Sequence, residues 1–270
     1  RNSMNQNNKI GILGCGWLGF VLAKKLISEK YQVKGSTTSI EKIKKFNKHN
    51  IEHCLLQINE EEIIGEISTF LKDLNILIIS IPPKSRKNSS SSYLNKIRCL
   101  NEEIQKSSIK KIIFISSTSV YGSNQGKVDS NIIANPNTAN GALMLESERF
   151  FNNKYSTIIR FGGLIGNDRN PVFILIKKLE IKNPLAPINL IHLEDCIGII
   201  SSIINKNKWG KIFSAVAPYH PSKKEYYTKK SIELDLGELN FSEVKTKINK
   251  EISDNKIKDD LNYSFIYPKL

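Results

Sequence analysis

Apolar runs of strand length alternate with helical stripes through the first 200 residues, and that alternation leaves few folds open. The runs are KIGILG (9–14), YQVKGS (31–36), HCLLQI (53–58), NILIISI (75–81), KKIIFIS (110–116) and STIIRFG (156–162). Between them Leu18, Val21, Leu22 and Leu26 recur at helical spacing, as do Tyr93, Ile97, Leu100 and Ile104. The latter stripe follows an SSSS stretch that offers N-cap candidates, and Thr38 with Glu41 reads as a capping box. Strand, helix, strand in repetition predicts an α/β architecture with a parallel sheet and crossover helices. A last apolar helix is expected over 194–204. Beyond residue 206 the texture changes to a short strand (KIFSAVA), a surface helix (SKKEYYTKKSIEL) and a polar remainder. The division expected is a main domain over 1–206, residues 1–3 being set aside because they precede Met4, and a small C-terminal lobe over 207–270 packed on the main sheet. A chain of 270 residues buries roughly 75% of its unfolded surface, enough for a core of its own.

The most specific short motif is Gly14-x-Gly16-x-x-Gly19, placed directly after the first strand and opening the first helix. In that setting the first glycine makes the tight turn, the second lets the backbone approach a pyrophosphate, and the third packs helix on strand. The helix N-terminus adds N–H donors and a positive dipole end. A doubly wound Rossmann domain binding a dinucleotide is the expectation, with Trp17 and Leu18 among the cofactor contacts and no chemical role for Cys15 or the indole. NAD would call for an acidic residue at the end of the second strand. Here Gly35 is followed by Ser36, Thr37 and Thr38, with Lys42, Lys44 and Lys45 beyond. Small donors and nearby cations suit a 2′-phosphate, so NADP is preferred to NAD.

The net charge of +14 raises nucleic acid as a partner. Residues 1–112 hold 19 basic against 10 acidic residues, whereas 221–270 hold 10 against 9, and no aromatic–basic interleaving accompanies the excess. An anionic cofactor and a lysine-rich composition account for the asymmetry better. Cys15, Cys54, Cys99 and Cys196 are scattered with no CxxC, as in a reduced, cytoplasmic protein. No apolar run of about 20 residues and no leader pattern is present, so neither a membrane span nor a secretory signal is expected.

ISSTSVYG (115–122), at the end of the fifth strand, resembles the extended or atypical short-chain dehydrogenase/reductase family, which includes nucleotide-sugar epimerases and dehydratases. IIRFGGLIGNDRNP (158–171), NLIHLEDCIGII (189–200) and YSFIYP (263–268) resemble further segments of that family, so the likeness spans nearly the whole chain. Through GWLG, SSTSVYG and the histidine-containing segment it is similar to a compact YeeZ-like subgroup. The resemblance implies that Ser117, four residues before the tyrosine, hydrogen-bonds the substrate oxygen, with Ser119 and Tyr121 in the same pocket. Ser116 and Thr118 alternate away from it. It places Ser80 and Pro82, with Pro83, beside the adenosine ribose, and Arg160, Asn167 and Arg169 at the substrate.

The family's acid/base engine is Tyr-x-x-x-Lys on the next helix, where the ammonium lowers the phenol's pKa. In NPNTANGALMLESERFF, matching Gly141 to the family's glycine puts Asn140 and Met144 at the two positions; a shift of two gives Thr138 and Ala142. The pair is missing. The Tyr226 and Lys230 pair has the spacing but lies in the tail helix, and reads as coincidence. Tyr121 is the remaining acid/base candidate, although a phenol titrating near 10 needs a cation, and Lys127 is the one spaced to help. His192 and Asp195 read as a packed residue and a helix N-terminal carboxylate rather than a relay. No metal-ligand spacing and no Ser-His-Asp elbow occurs. The expectation is an NADP-binding epimerase or oxidoreductase with a degenerate site, acting on a small molecule such as a nucleotide sugar, with a homodimer allowed for and slow chemistry or none. The alternative is a non-catalytic NADP-binding sensor or scaffold.

Overall fold

The structure, a computed structural model, describes residues 8–83, 90–166, 168–243 and 250–270. Its main sheet has seven strands: β1 (Lys9–Leu13), β2 (Gln32–Thr37), β3 (Glu52–Leu55), β4 (Ile76–Ile79), β5 (Lys111–Ser117), β6 (Ser156–Phe161) and β7 (Ile212–Ala215). Their order is β7-β6-β5-β4-β1-β2-β3. Ile10 stands opposite Val33 on one side and Ile76 on the other, and Ile78 opposite Ile113, all in parallel pairs. Parallel neighbours cannot be joined by a tight turn, so helices carry the chain between strands. These are α1 (Trp17–Ser28), α2 (Glu41–Lys48), α3 (Ile67–Leu71), α4 (Ser90–Gln105), α5 (Ala139–Glu148), α6 (Val172–Leu175) and α7 (Leu193–Asn205), and α8 (Lys223–Glu233) follows the last strand.

The apolar runs follow from this arrangement. A parallel strand covered on both faces has no wet side, so Ile10, Ile12, Leu13, Leu77, Ile78 and Ile79 are all fully buried. The helical stripes behave likewise: Leu18, Leu22 and Leu26 of α1 and Ile97, Leu100 and Ile104 of α4 turn inward. Strand order reverses between β1 and β4, which is where open α/β sheets take ligands at the strands' carboxyl ends.

Two local expectations give way. The single strand expected over 53–58 ends at Leu55, and Gln57–Ile58 turns aside to pair antiparallel with Ile63–Ile64. Gly65, at φ +109°, lets the returning chain press on the Leu55 carbonyl. The capping box at Thr38 does not form: α2 starts after Ile40 with no side-chain cap. The Thr37 hydroxyl instead accepts from the Ser39 amide at 3.1 Å, turning the chain before Thr38 can cap. Of the serines expected to cap α4, Ser89 lies outside the described residues.

The chain separates into two compact units. The first comprises Arg1–Ser116, Leu143–Ile159 and Ile203–Ile212; the second comprises Ser117–Ala142, Arg160–Ser202 and Phe213–Leu270. Ile165, Val172, Ile188, Leu190, Tyr226 and Tyr227 form a core cluster in the second. There α8 is capped by Ser222, whose hydroxyl accepts from the Glu225 amide at 3.1 Å. Among the described residues no helix is long and apolar enough to cross a membrane, and no His/Cys/Asp/Glu cluster could hold a metal.

Candidate functional site

In the first unit the three glycines between β1 and α1 have different physical reasons. Gly14 has φ +84°, and a side chain there would overlap the Ser80 carbonyl. A Cβ on Gly19 would lie 2.7 Å from the Gly14 oxygen and 3.1 Å from Ile12 Cγ2, so α1 sits on β1 only because that atom is absent. Gly16 is different. Among the described residues a Cβ there would meet nothing closer than the Gly14 oxygen at 3.9 Å. Among the described residues no contact requires a glycine at this point, and the space above its backbone is room for something else. The start of α1 carries no acidic residue and no side-chain cap, so its positive end is uncompensated by local side chains. Leu18 is buried beneath it, and Trp17 is half-buried.

The end of β2 holds this loop in place. The buried Ser36 hydroxyl accepts from the Gly14 amide at 2.9 Å, and its carbonyl accepts from the Cys15 amide at 3.0 Å. Thr37 is buried; Thr38 is exposed. Burial pushes the Cys15 thiol up to about 12, opposed in part by Lys42 and Lys45, so both ammonium groups of α2 act electrostatically on the loop. The thiol is therefore inert. On the other side Ser80 donates its amide to the Leu13 carbonyl at 2.8 Å, and Tyr93 Oη pins the Ile81 carbonyl at 2.8 Å, leaving Pro82 exposed.

The exit from β5 is built otherwise. The Ser117 hydroxyl accepts from the Ser119 amide at 3.1 Å, capping a 3₁₀ turn over Thr118–Val120. Ser116 points the other way and donates to Glu148 at 2.6 Å, both side chains being buried in the first unit. Within the second unit Gly141 presses on the Ser119 carbonyl so closely that any side chain would overlap it. Asn140 is exposed and Met144 is buried.

Tyr121 is only 1% exposed. Its hydroxyl donates to the Asp129 carbonyl at 2.8 Å, accepts from Arg160 Nη1 at 2.8 Å and shares a 2.8 Å bond with Ser214. One phenol has one donor and two acceptor positions, and all three are taken. Burial raises its pKa, with Arg160 opposing. The cation beside the phenol is thus Arg160; Lys127, expected from spacing, pairs at the surface with Glu251 at 3.3 Å. Asp254 completes the group by accepting from the Ser214 amide at 2.8 Å. Arg169 is exposed, on a narrow turn closed by its main-chain bonds to Gly166 at 2.9 and 3.1 Å; Asn167 lies outside the described residues.

One functional-looking group, Lys250, had no sequence signal, and two others that the sequence did single out have different partners from those expected. Lys250 donates to the Tyr121 carbonyl at 3.0 Å and the Thr118 carbonyl at 3.2 Å, from a tail stretch with no motif. Asp195, fully buried, binds the C-terminal segment rather than only its own helix: it accepts from Tyr263 Oη at 2.9 Å and from the Ile266 and Tyr267 amides at 2.7 and 3.0 Å. Tyr226 is buried and accepts from Asn170 at 3.0 Å, while Lys230 pairs with Glu233 at 2.8 Å and lies 5.9 Å from the Tyr226 ring centroid; burial outweighs the ammonium and raises the phenol's pKa.

No family model matches the chain. Protein YeeZ of Escherichia coli (strain K12) is 32% identical over 266 residues, covering 96% of each chain. Among solved structures, a conserved protein of unknown function from Silicibacter pomeroyi is 18% identical, with a TM-score of 0.76 over 97% of this chain and 95% of that one. UDP-glucuronic acid 4-epimerase from Bacillus cereus, in complex with UDP-glucuronic acid and NAD, is 19% identical, with a TM-score of 0.77 over 95% and 93%. Sharing its fold with both solved structures and 32% identical to Protein YeeZ over 96% of each chain, the chain belongs to the YeeZ-like family.

Proposed function

We propose that the chain binds a nicotinamide dinucleotide, NADP(H) in preference to NAD(H), and acts on a small molecule of the nucleotide-sugar class as an epimerase- or oxidoreductase-type protein. The observation that carries this reading is Gly16, a glycine that no contact with the described residues requires at the N-terminus of α1. Gly14, Gly16, Gly19, Trp17 and Leu18 would hold the pyrophosphate there. Ser80 and Pro82 would flank the adenosine ribose. Ser36 and Thr37 shape the strand end, and exposed Thr38 with Lys42 and Lys45 would meet a 2′-phosphate. When bound, the cofactor supplies hydride transfer. Ser117 and Ser119 would hydrogen-bond the substrate, Asn167 and Arg169 its polar or anionic part, and Arg160 would act from beneath through Tyr121. Residues 207–270 would form the substrate lobe. The Bacillus cereus epimerase, crystallised with UDP-glucuronic acid and NAD, supports the ligand class.

Fluorescence titration with NADPH and NADH tests the reading. Tighter NADPH binding is expected; equal or reversed affinity would remove the 2′-phosphate argument.

A second reading, a non-catalytic NADP-binding sensor or scaffold, is favoured by Tyr121, whose hydroxyl has no bonding position left for a substrate. The close packing of Gly141 on the Ser119 carbonyl supports the register that puts Asn140 and Met144 in the acid/base positions. Cofactor binding without turnover of any nucleotide sugar would select this second reading.

A further inference from the structure

Lys250 lies immediately before a short strand, Glu251–Ile252, that pairs in parallel with Lys127–Val128. Asn189 grips its main chain from both sides, donating to the Lys250 carbonyl at 2.8 Å and accepting from the Ile252 amide at 2.8 Å. The backbone from which the ammonium extends is therefore fixed. The side chain is half-buried and ends on the two carbonyls of the turn that carries Ser117 and Ser119. An ammonium has three N–H donors, so one remains after Thr118 and Tyr121 are served. No carboxylate among the described residues pairs with it; burial alone acts on its pKa, pushing it down. A partly desolvated cation balanced only by carbonyl dipoles is under-compensated, and an arriving anion would make good the deficit.

We propose that Lys250 is a substrate-binding cation. Its remaining N–H takes an anionic group of the substrate, a carboxylate or a phosphate, beside the hydroxyls of Ser117 and Ser119. The proposal rests on the nucleotide-sugar reading above and adds to it a charge requirement on the ligand, met from the C-terminal tail. A lysine that merely tethered the turn would have no reason to discriminate among substrate charges.

Calorimetric titration of the wild type, Lys250→Gln and Lys250→Arg with UDP-glucuronic acid and with UDP-glucose separates the cases. The two probes share the diphosphate and differ in the carboxylate. Glutamine keeps an N–H donor for the turn while removing the charge. The expected result is a loss of about 10- to 100-fold on Lys250→Gln, as for a charge-assisted bond, with recovery in Lys250→Arg. A loss confined to UDP-glucuronic acid assigns the contact to the carboxylate; an equal loss for both assigns it to the diphosphate. A folded glutamine variant that binds both probes like the wild type overturns the proposal. A wild type that binds neither overturns the nucleotide-sugar reading and this proposal with it. Should the glutamine variant not fold, the wild-type Lys250 side-chain NMR signal decides: it must shift when a binding probe is added, and an unmoved signal overturns the proposal.

Discussion

The turns that follow β1 and β5 both leave the carboxyl end of a parallel strand, yet they are built on opposite principles. After β1 the chain makes room: the Gly16 backbone faces open space, and α1 begins with no side chain to satisfy or neutralise it. After β5 the chain fills room, because Tyr121 is buried with every bonding position used and Lys250 is clamped onto the turn's carbonyls. A vacant backbone surface is what a ligand-binding loop needs. A saturated polar cluster fixes a shape and leaves the chemistry to the few groups at its rim, which on the proposed reading are Ser117, Ser119 and the third N–H of Lys250.

The largest effect that could break this contrast is expected at the first turn. Gly16→Val should weaken dinucleotide binding on the order of 100-fold or more while leaving the melting temperature within a few degrees, because a Cβ there meets no described protein atom nearer than 3.9 Å. Gly19→Val should do the reverse, destabilising the protein by roughly 1–3 kcal/mol or more through overpacking against the Gly14 carbonyl and Ile12. Parallel titration and thermal melts read both. If Gly16→Val unfolds the protein as Gly19→Val does, the space is not there for a ligand.

Next in size is Asp195→Ala, which strands one phenol and two amides that the carboxylate now accepts from. A loss on the order of 3 kcal/mol is expected in denaturant melts, with new protease sensitivity after residue 262. Tyr121→Phe should cost about 2 kcal/mol, since buried Arg160 would lose an acceptor. Ser117→Ala should cost less than about 0.5 kcal/mol, its hydroxyl capping only one short turn. An equal cost for the last two would mean that the β5 exit is no more saturated at Tyr121 than at its rim.

The same contrast explains what could be read from the sequence. The sheet and the first loop were legible because their causes are local: burial on both faces makes a run apolar, and a tight turn, a close approach and a helix–strand contact each require glycine at a set spacing. The partners of Tyr121 are Asp129, Arg160 and Ser214, and those of the β5 turn include Lys250, up to 132 residues away. No spacing rule links them; only the folded chain brings them together. Lys127 illustrates the point: it lies near Tyr121 in sequence yet pairs with Glu251, and the cation at the phenol is Arg160, 39 residues on. The failed capping box at Thr38 has a local origin instead, the Thr37 hydroxyl taking the Ser39 amide before the helix opens at Ile40.

The smallest expected effect sharpens the picture of the second unit. His192 stands against Tyr267 with ring centroids 3.8 Å apart, and its Nδ1 accepts from the Glu194 amide at 3.3 Å. Burial lowers its pKa below the usual 6.5, and the nearby Glu194 and Asp195 carboxylates oppose this without prevailing. The unfolded chain therefore binds the proton more readily than the folded one. Between the folded value and 6.5 stability should rise with pH, and above 6.5 this histidine should contribute no further slope. Tyr267 is held in place through its amide by Asp195, so the burial of the imidazole depends on that contact. Tyr267→Ala should uncover the ring, leave both carboxylates, and move the midpoint upward toward or past 6.5. Imidazole proton NMR titrations of the wild type and the variant measure both values. A wild-type midpoint above 6.5 would mean that the carboxylates outweigh burial, and that this strand end, like the first loop, is open to water.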